Sequence, residues 1–249
     1  MVQESLGVVL KSISYSESSL ISRIYTSEFG KISVMSRGAK KTKGGKAGML
    51  EPMNLIEFQM NFKESKELQI LQEISIVQNL STIRNDIQKL AIGLVMVEIL
   101  DKTTHNLDPS QILYRLIEKS LLVLNNSSTN NIKLYIFYLI QFSKYSGFNP
   151  VPTHCNNCNN SLDTAFYQIQ NGFVNCTNCN SFDSLELEQN NFNYLLELSS
   201  THIDYLYGID CSIEQLHFFE KYLIQFMEFH LVGMRNIKSL KFLKEVAFS

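Results

Sequence analysis

The chain has 249 residues, 45% of them hydrophobic and 18% charged, with a formal net charge of −2. That is an ordinary balance for a water-soluble globular protein, with length for one large domain or two to three small ones. No apolar run is long enough to span a bilayer, and the N-terminus lacks the basic-then-apolar order of a secretion signal. These features point to a cytosolic chain, where thiols stay reduced and paired cysteines hold metal more readily than they form disulfides.

The charge is unevenly spread. Residues 1–80 carry ten Lys/Arg against eight Asp/Glu, net +2, and the remainder is net −4. Arg37, Lys40, Lys41, Lys43 and Lys46 fall within ten residues that contain no acid. Such a run is commonly a solvated face, and in the right fold it is a contact for phosphates.

The first eighty residues read as five short strands. Residues 8–14 and 20–26 are rich in β-branched and aromatic side chains, and Gly30 then turns the chain into a third strand, 31–37. The fourth is the clearest: Ile56, Phe58, Met60 and Phe62 alternate with Glu57, Gln59, Asn61 and Lys63, a period of two that buries one face. A fifth covers 68–74. Five such strands fit a small closed barrel of the OB type. Residues 38–52, glycine-rich and cationic, are expected to be a mobile loop that packs no core. Beside such a barrel, this loop is where a nucleic-acid strand would be held. Tyr15, Tyr25 and Phe29 are candidates to stack on bases, with core packing the competing role.

Beyond residue 80 the chain reads as mostly helical. An amphipathic helix is expected over 81–104, capped by Ser81, with Ile83, Ile87, Leu90, Leu94 and Val97 on its stripe. Asp108-Pro109 looks like the start of the next helix. Residues 132–146 are apolar nearly all round and should form a central buried helix ended by Gly147. A short helix over 191–198 follows later. Ser212 with Gln215 suggests a capping box for the longest helix, and residues 235–243 form a basic amphipathic tail.

Cys155, Cys158, Cys176 and Cys179 form two CxxC pairs separated by seventeen residues. Two such turns facing each other make a closed four-sulfur site suited to one structural Zn²⁺. The intervening segment reads as a hairpin turning at Asn171-Gly172. His154 could stand in for one cysteine, though four thiolates suffice. Cys211 has no partner left and reads as a small half-buried residue. No phosphate-cradling glycine motif, HExxH or nucleophile elbow is present, and Glu220 and Glu228 read as solvent-face residues of the long helix, so a catalytic role is not expected.

The expected architecture is therefore an α+β multidomain chain. An OB-type barrel over 1–79 precedes a helical domain over 80–249, which carries a zinc ribbon at about 150–182. An RNA-binding OB protein and a pure interaction scaffold are both compatible with this pattern.

The order of several short motifs resembles the RecO family of bacterial recombination mediators. They are Gly7-Val-Val-Leu-Lys11, Tyr15-Ser-Glu17, Thr26-Ser-Glu-Phe-Gly-Lys-Ile32 and Arg37-Gly-Ala-Lys-Lys41 in the first part. Tyr145-Ser-Gly-Phe-Asn-Pro150 before the cysteine pairs and Lys238-Ser-Leu-Lys-Phe-Leu243 at the end complete the set. The resemblance implies a non-enzymatic, nucleoid-associated DNA-repair factor. It would bind single- and double-stranded DNA, anneal complementary strands, contact the C-terminal tail of single-strand-binding protein, and work with RecR to load RecA. On that footing Arg37, Lys40 and Lys41 match the family's basic stretch, extended here by Lys43 and Lys46, and the four cysteines bind zinc. A site for an acidic tail with an apolar end should combine a hydrophobic groove with a Lys or Arg, for which Arg115, Lys119 and Lys133 are candidates.

Overall fold

The computed structural model describes residues 2–41, 44–128, 131–181 and 183–247. They group into two compact units: Met1–Ser127 with Ile237–Ala247, and Ser128–Asn236. The change from strand to helix falls near residue 80, but compactness carries the first unit through three further helices and recruits the C-terminal tail. No helix among the described residues is long and apolar enough to cross a membrane.

Five strands open the first unit: β1 (Val2–Tyr15), β2 (Ser19–Thr26), β3 (Gly30–Ser36), β4 (Leu55–Asn61) and β5 (Leu68–Gln78). They close into a barrel in the order β1-β2-β3-β5-β4, with β3 and β5 parallel and the other pairs antiparallel. The period-two pattern of β4 holds: Ile56, Phe58 and Met60 lie in the barrel core with Val9, Ile24 and Val34. A register shift between Val9 and Lys11 lets the long β1 pair with both β2 and β4.

Gly30 adopts φ +63° at the β2–β3 turn, and a Cβ there would lie 2.4 Å from the Asp108 carbonyl oxygen. Gly30→Ala therefore combines a left-handed backbone with a clash against backbone that cannot swing aside. The expected loss is about 3 kcal/mol, read as a lowered midpoint in urea at unchanged slope.

The segment after β3 departs from expectation. Residues 38–52 were expected to pack no core, yet Ala39 and Leu50 belong to the barrel interior and Ala47 packs against it. Single apolar side chains at these positions are enough, because a barrel this small leaves an end to be filled. Backbone bonds from Lys40 N to Ser18 O and from Ala47 N to Ala39 O fold the segment back, and a single 3-10 turn, Ala47–Leu50, closes it.

The expected helix over 81–104 is broken in two: α1 (Ser81–Asn85) and α2 (Ile87–Thr103). Asp86 interrupts it because its carboxylate accepts from the backbone N–H of Gln88 and Lys89, a cap that competes with continuing the helix. Ser81 is not the cap; Leu80 occupies that position without a side-chain bond. The stripe shifts accordingly, leaving Ile87 exposed.

The third helix, α3 (Gln111–Asn126), is capped by Ser110 and not by Asp108. A tertiary contact decides this: Leu107 N donates to Lys31 O, and Asn106 bridges to Lys31, so residues 106–108 are held against β3 before the helix can start. Lys31 itself is buried, and its ammonium donates to the carbonyls of Asp101 and Thr104, both at 2.5 Å, at the C-terminal end of α2. Burial pushes the Lys31 ammonium below its ordinary range. Burial raises the Asp101 carboxyl against the pull of Arg23, whose guanidinium lies 2.8 Å away.

The tail folds as α7 (Ser239–Ala247), which packs on α2. Its first turn is held by Glu98, which accepts from the Ser239 N–H at 2.8 Å and from its hydroxyl at 2.6 Å. Burial works against the Glu98 carboxylate, but these bonds from Ser239 outweigh it and hold the group below its ordinary pKa.

The second unit is built on α4 (Asn131–Tyr145), buried along nearly its whole length, with α5 (Gln189–Ser200) and α6 (Ile213–His230) beside it. The Ser212–Gln215 capping box of α6 is present. Glu220, expected on the solvent face, is buried and lies near Tyr135 of α4, because α4 takes up that side of α6. Cys211 is buried, and burial raises its thiol.

A three-stranded sheet in the order β7-β6-β8 completes the unit, from β6 (Ala165–Gln168), β7 (Phe173–Asn175) and β8 (Ser184–Leu187). Its third strand, Ser-Leu-Glu-Leu, is too short and mixed to announce itself in the sequence.

Candidate metal centre and nucleic-acid interface

Each cysteine pair sits on a tight turn. In the first, Asn159 N donates to Cys155 O, with Asn159 at φ +60°, and Asn157 N points at the Cys155 sulfur at 3.4 Å. In the second, Cys179 N donates to Cys176 O within the 3-10 turn Thr177–Cys179. The β6–β7 hairpin carries the second turn toward the first. Its connection runs through residues 169–172, with Gly172 at φ +71° accepting nothing larger than hydrogen beside Phe229 and His230.

The four sulfurs all lie within 4.8 Å of one another, and Cys158 and Cys176 are 3.7 Å apart. A tetrahedral ion with metal–sulfur bonds near 2.3 Å requires edges of about 3.8 Å, so the arrangement is consistent with a zinc site. Electrostatics agree. Burial would raise the Cys155 thiol, but backbone N–H groups of Cys158, Cys176 and Asn157 draw it down to about 6. The Asn160 N–H acts to lower Cys158, yet burial and the sulfurs of Cys155, Cys179 and Cys176 push it up to about 11. Four thiols this close cannot all ionise without a cation among them. His154 is not part of the cluster; its Nδ1 lies 2.9 Å from the Thr153 hydroxyl.

Sequence reasoning missed the asparagines that hold the knuckles. Asn156 Oδ1 accepts from Val174 N at 2.7 Å, Asn156 N donates to Val174 O, and the Asn175 side chain reaches Cys179 O. The signal was present as an excess of Asn between and beside the cysteines. Equally unforeseen, His230 Nε2 lies 2.9 Å from the Gly172 carbonyl, and its ring stacks on Phe148 at 4.7 Å, tying the hairpin tip to α6.

Of the basic run, Arg37, Lys40 and Lys41 are exposed on the turn that follows β3. Lys40 also reaches the Ser16 carbonyl at 3.4 Å, and Lys46, half-buried, donates its ammonium to the Gln72 carbonyl of β5. Lys43 lies outside the described residues. The Lys40 and Lys46 contacts tie this segment to the barrel, while Arg37, Lys40 and Lys41 are exposed. Among the three aromatics, Tyr15 alone is exposed. Tyr25 is fully buried, where burial raises its hydroxyl to about 12, and Phe29 packs on Phe62 with ring centroids 4.5 Å apart. Of the three candidate tail-binding cations, Lys133 is buried and donates to the Ile209 carbonyl, Arg115 is exposed, and Lys119 is half-buried.

A five-stranded OB-like barrel followed by a helical domain with a four-cysteine cluster defines the class of protein. Family models narrow it: that of the recombination protein O N-terminal domain matches residues 1–80, and that of its C-terminal domain matches residues 84–241. Among curated proteins, the DNA repair protein RecO of Listeria monocytogenes is 30% identical over 242 residues, covering 96% of this chain and 93% of the relative. The protein of the same name from Bacillus pumilus is 33% identical over 188 residues, 75% of this chain and 72% of the relative. That from Oceanobacillus iheyensis is 26% identical over 250 residues, 100% of this chain and 95% of the relative. The chain belongs to the RecO family.

Proposed function

We propose that this chain is a DNA-repair and recombination mediator that works without catalysing a reaction. In this reading it binds single- and double-stranded DNA through the barrel and the 37–46 turn and anneals complementary strands. With RecR it helps load RecA onto strands coated by single-strand-binding protein. Its place of action is the cytoplasm, at the nucleoid. One structural Zn²⁺ is held by Cys155, Cys158, Cys176 and Cys179, where it clamps the ribbon and leaves no open position for chemistry.

The observation that carries the reading is the set of exposed cations Arg37, Lys40 and Lys41, in an acid-free stretch beside an OB-like barrel. Two strands repel through their phosphates, and a cluster of cations screens that repulsion while leaving base edges free to pair. Tyr15, exposed beside the turn that Lys40 touches, adds a face on which a base can stack. The relatives' name, DNA repair protein RecO, supports the same reading.

The test is annealing of complementary strands pre-coated with single-strand-binding protein, followed by strand pairing or fluorescence quenching. The chain is expected to accelerate annealing at low salt and to lose the effect as salt rises. Equal annealing with and without the chain sinks the proposal.

A further inference from the structure

The four cysteines are unequally placed for chemistry with a dissolved reagent. Cys155 is 2% exposed, Cys176 and Cys179 are half-buried, and Cys158 is exposed. The Cys155 sulfur also accepts the Asn157 N–H, so it is both covered and engaged. Cys158 lies between Asn157 and Asn159, which are themselves exposed and uncharged and put no bulky or charged side chain beside it in the chain. Its Sγ is 3.7 Å from that of Cys176, which belongs to the opposite knuckle.

A sulfur that binds a metal ion is held as the thiolate, and the thiolate is the form that attacks an oxidant. Exposure decides which of several thiolates reacts first, and here it selects Cys158. The outcome then depends on a second thiolate within reach. From 3.7 Å, Cys176 needs an approach of roughly 1.7 Å to reach the length of a sulfur–sulfur bond, which small side-chain rotations on two tight turns can supply.

We infer, on the zinc reading of the cluster, that Cys158 and Cys176 are an oxidation site for hydrogen peroxide, at which a disulfide takes over from the metal ion in clamping the two knuckles together. The Cys158 thiolate attacks one peroxide oxygen, the O–O bond breaks, a sulfenic acid forms at Cys158 and hydroxide leaves. The Cys176 thiolate attacks that sulfur, the S–S bond forms and a second hydroxide leaves. Two thiolates have then given two electrons to one peroxide, which ends as two hydroxides. Cys155 and Cys179 remain, too few to hold zinc, and the ion is released. The new bond joins opposite knuckles, so the β6–β7 hairpin that leads into Cys176 stays fastened to the first knuckle. Metal-loaded and oxidised chains are both closed; only the reduced, metal-free chain is open. In a reducing compartment the disulfide is transient, and thiols return the pair to its metal-binding form.

The test uses the full, unaltered chain, loaded with zinc, freed of reductant and treated with about a tenfold excess of hydrogen peroxide. Released zinc is read with a chromogenic chelator. Free thiols are alkylated before digestion with chymotrypsin and mass spectrometry. Cleavage after Phe166, Tyr167 and Phe173 parts Cys155 and Cys158 from Cys176 and Cys179. A disulfide across the knuckles therefore holds two peptides together, whereas a bond within either CxxC leaves them separate. About one zinc should be released per chain, with the two peptides joined and the alkyl groups on Cys155 and Cys179. Dithiothreitol should undo the joining. Cys211, buried and on a different peptide, should stay free. Hydrogen exchange in β6 and β7 should remain slow in the oxidised chain and be about tenfold or more faster in the reduced chain stripped by a chelator.

Zinc retained under peroxide overturns the proposal. So does a disulfide confined to Cys155–Cys158 or Cys176–Cys179, or a cross-link that runs through Cys155. Exchange in the oxidised ribbon as fast as in the stripped one removes the clamp. A chain that takes up no zinc overturns the zinc reading and this proposal with it, whereas a zinc-loaded chain that forms no Cys158–Cys176 bond overturns this proposal alone.

Discussion

Replacing Arg37, Lys40, Lys41 and Lys46 together with alanine is expected to lower single-strand affinity at about 0.1 M salt by roughly two orders of magnitude. Each cation that neutralises a phosphate releases counterion, with a slope of about 0.7 per contact on a single strand. Removing four contacts should therefore flatten the plot of log affinity against log salt by about 3. No acid lies within the turn to offset these charges, and the chain beyond residue 80 is net −4 and supplies no compensating field. Lys46 also bonds the Gln72 carbonyl, so a single Lys46→Ala should loosen the turn as well as remove a charge. Changing the three exposed residues alone separates the two effects. An unchanged affinity and an unchanged salt slope in the fourfold variant would remove the turn from the DNA-binding surface.

Loss of the metal centre is the second large effect, and it should appear in a different observable. Cys155→Ser with Cys176→Ser, or treatment with a strong chelator, is expected to unfold the ribbon from residue 153 to 187. The sheet there is short, and asparagines and cysteines make up much of the sequence, so apolar burial cannot hold it. Structural zinc contributes about 10–16 kcal/mol to isolated finger peptides. A ribbon anchored by His230 and by Tyr167 against α6 retains some support, so a loss of several kcal/mol of local stability is expected. Hydrogen exchange should show protection lost in β6, β7 and β8 while the barrel amides stay protected. Metal analysis should give one zinc per unaltered chain and none in the variant. Oligonucleotide affinity should stay within about threefold, since the ribbon and the basic turn belong to different compact units. Barrel amides losing protection together with the ribbon would show that the ion supports more than the ribbon.

The cysteine cluster and the exposed stretch of the basic run were legible in the sequence, and for separate reasons. Cysteine spacing is a direct statement about ligands, because a CxxC turn brings two sulfurs together whatever surrounds it. The alternation of Ile56, Phe58 and Met60 and the apolar run of 132–146 are likewise local patterns with one stable solution. The departures occur where a distant residue competes with a local preference. Asp108 would cap a helix, but residues 106–108 are bound to Lys31, and Ser110 takes the role. Glu220 has a polar side chain on an amphipathic helix, yet α4 covers it. In the 38–52 segment glycine and lysine content argued for a free loop, while Ala39 and Leu50, too few to register as a pattern, fix it to the barrel core.

By itself the sequence determined the barrel's strands, the clustering of the four cysteines and the position of the basic run, because periodicity, cysteine spacing and charge are properties of neighbouring residues. Only the tertiary structure decided which cations are exposed, that Lys31 and Lys133 are buried and bound to carbonyls, and that α7 returns to α2 to form a cleft with β1. Those outcomes depend on residues far apart in the chain meeting at hydrogen-bonding distance, and no local pattern encodes which distant partner prevails.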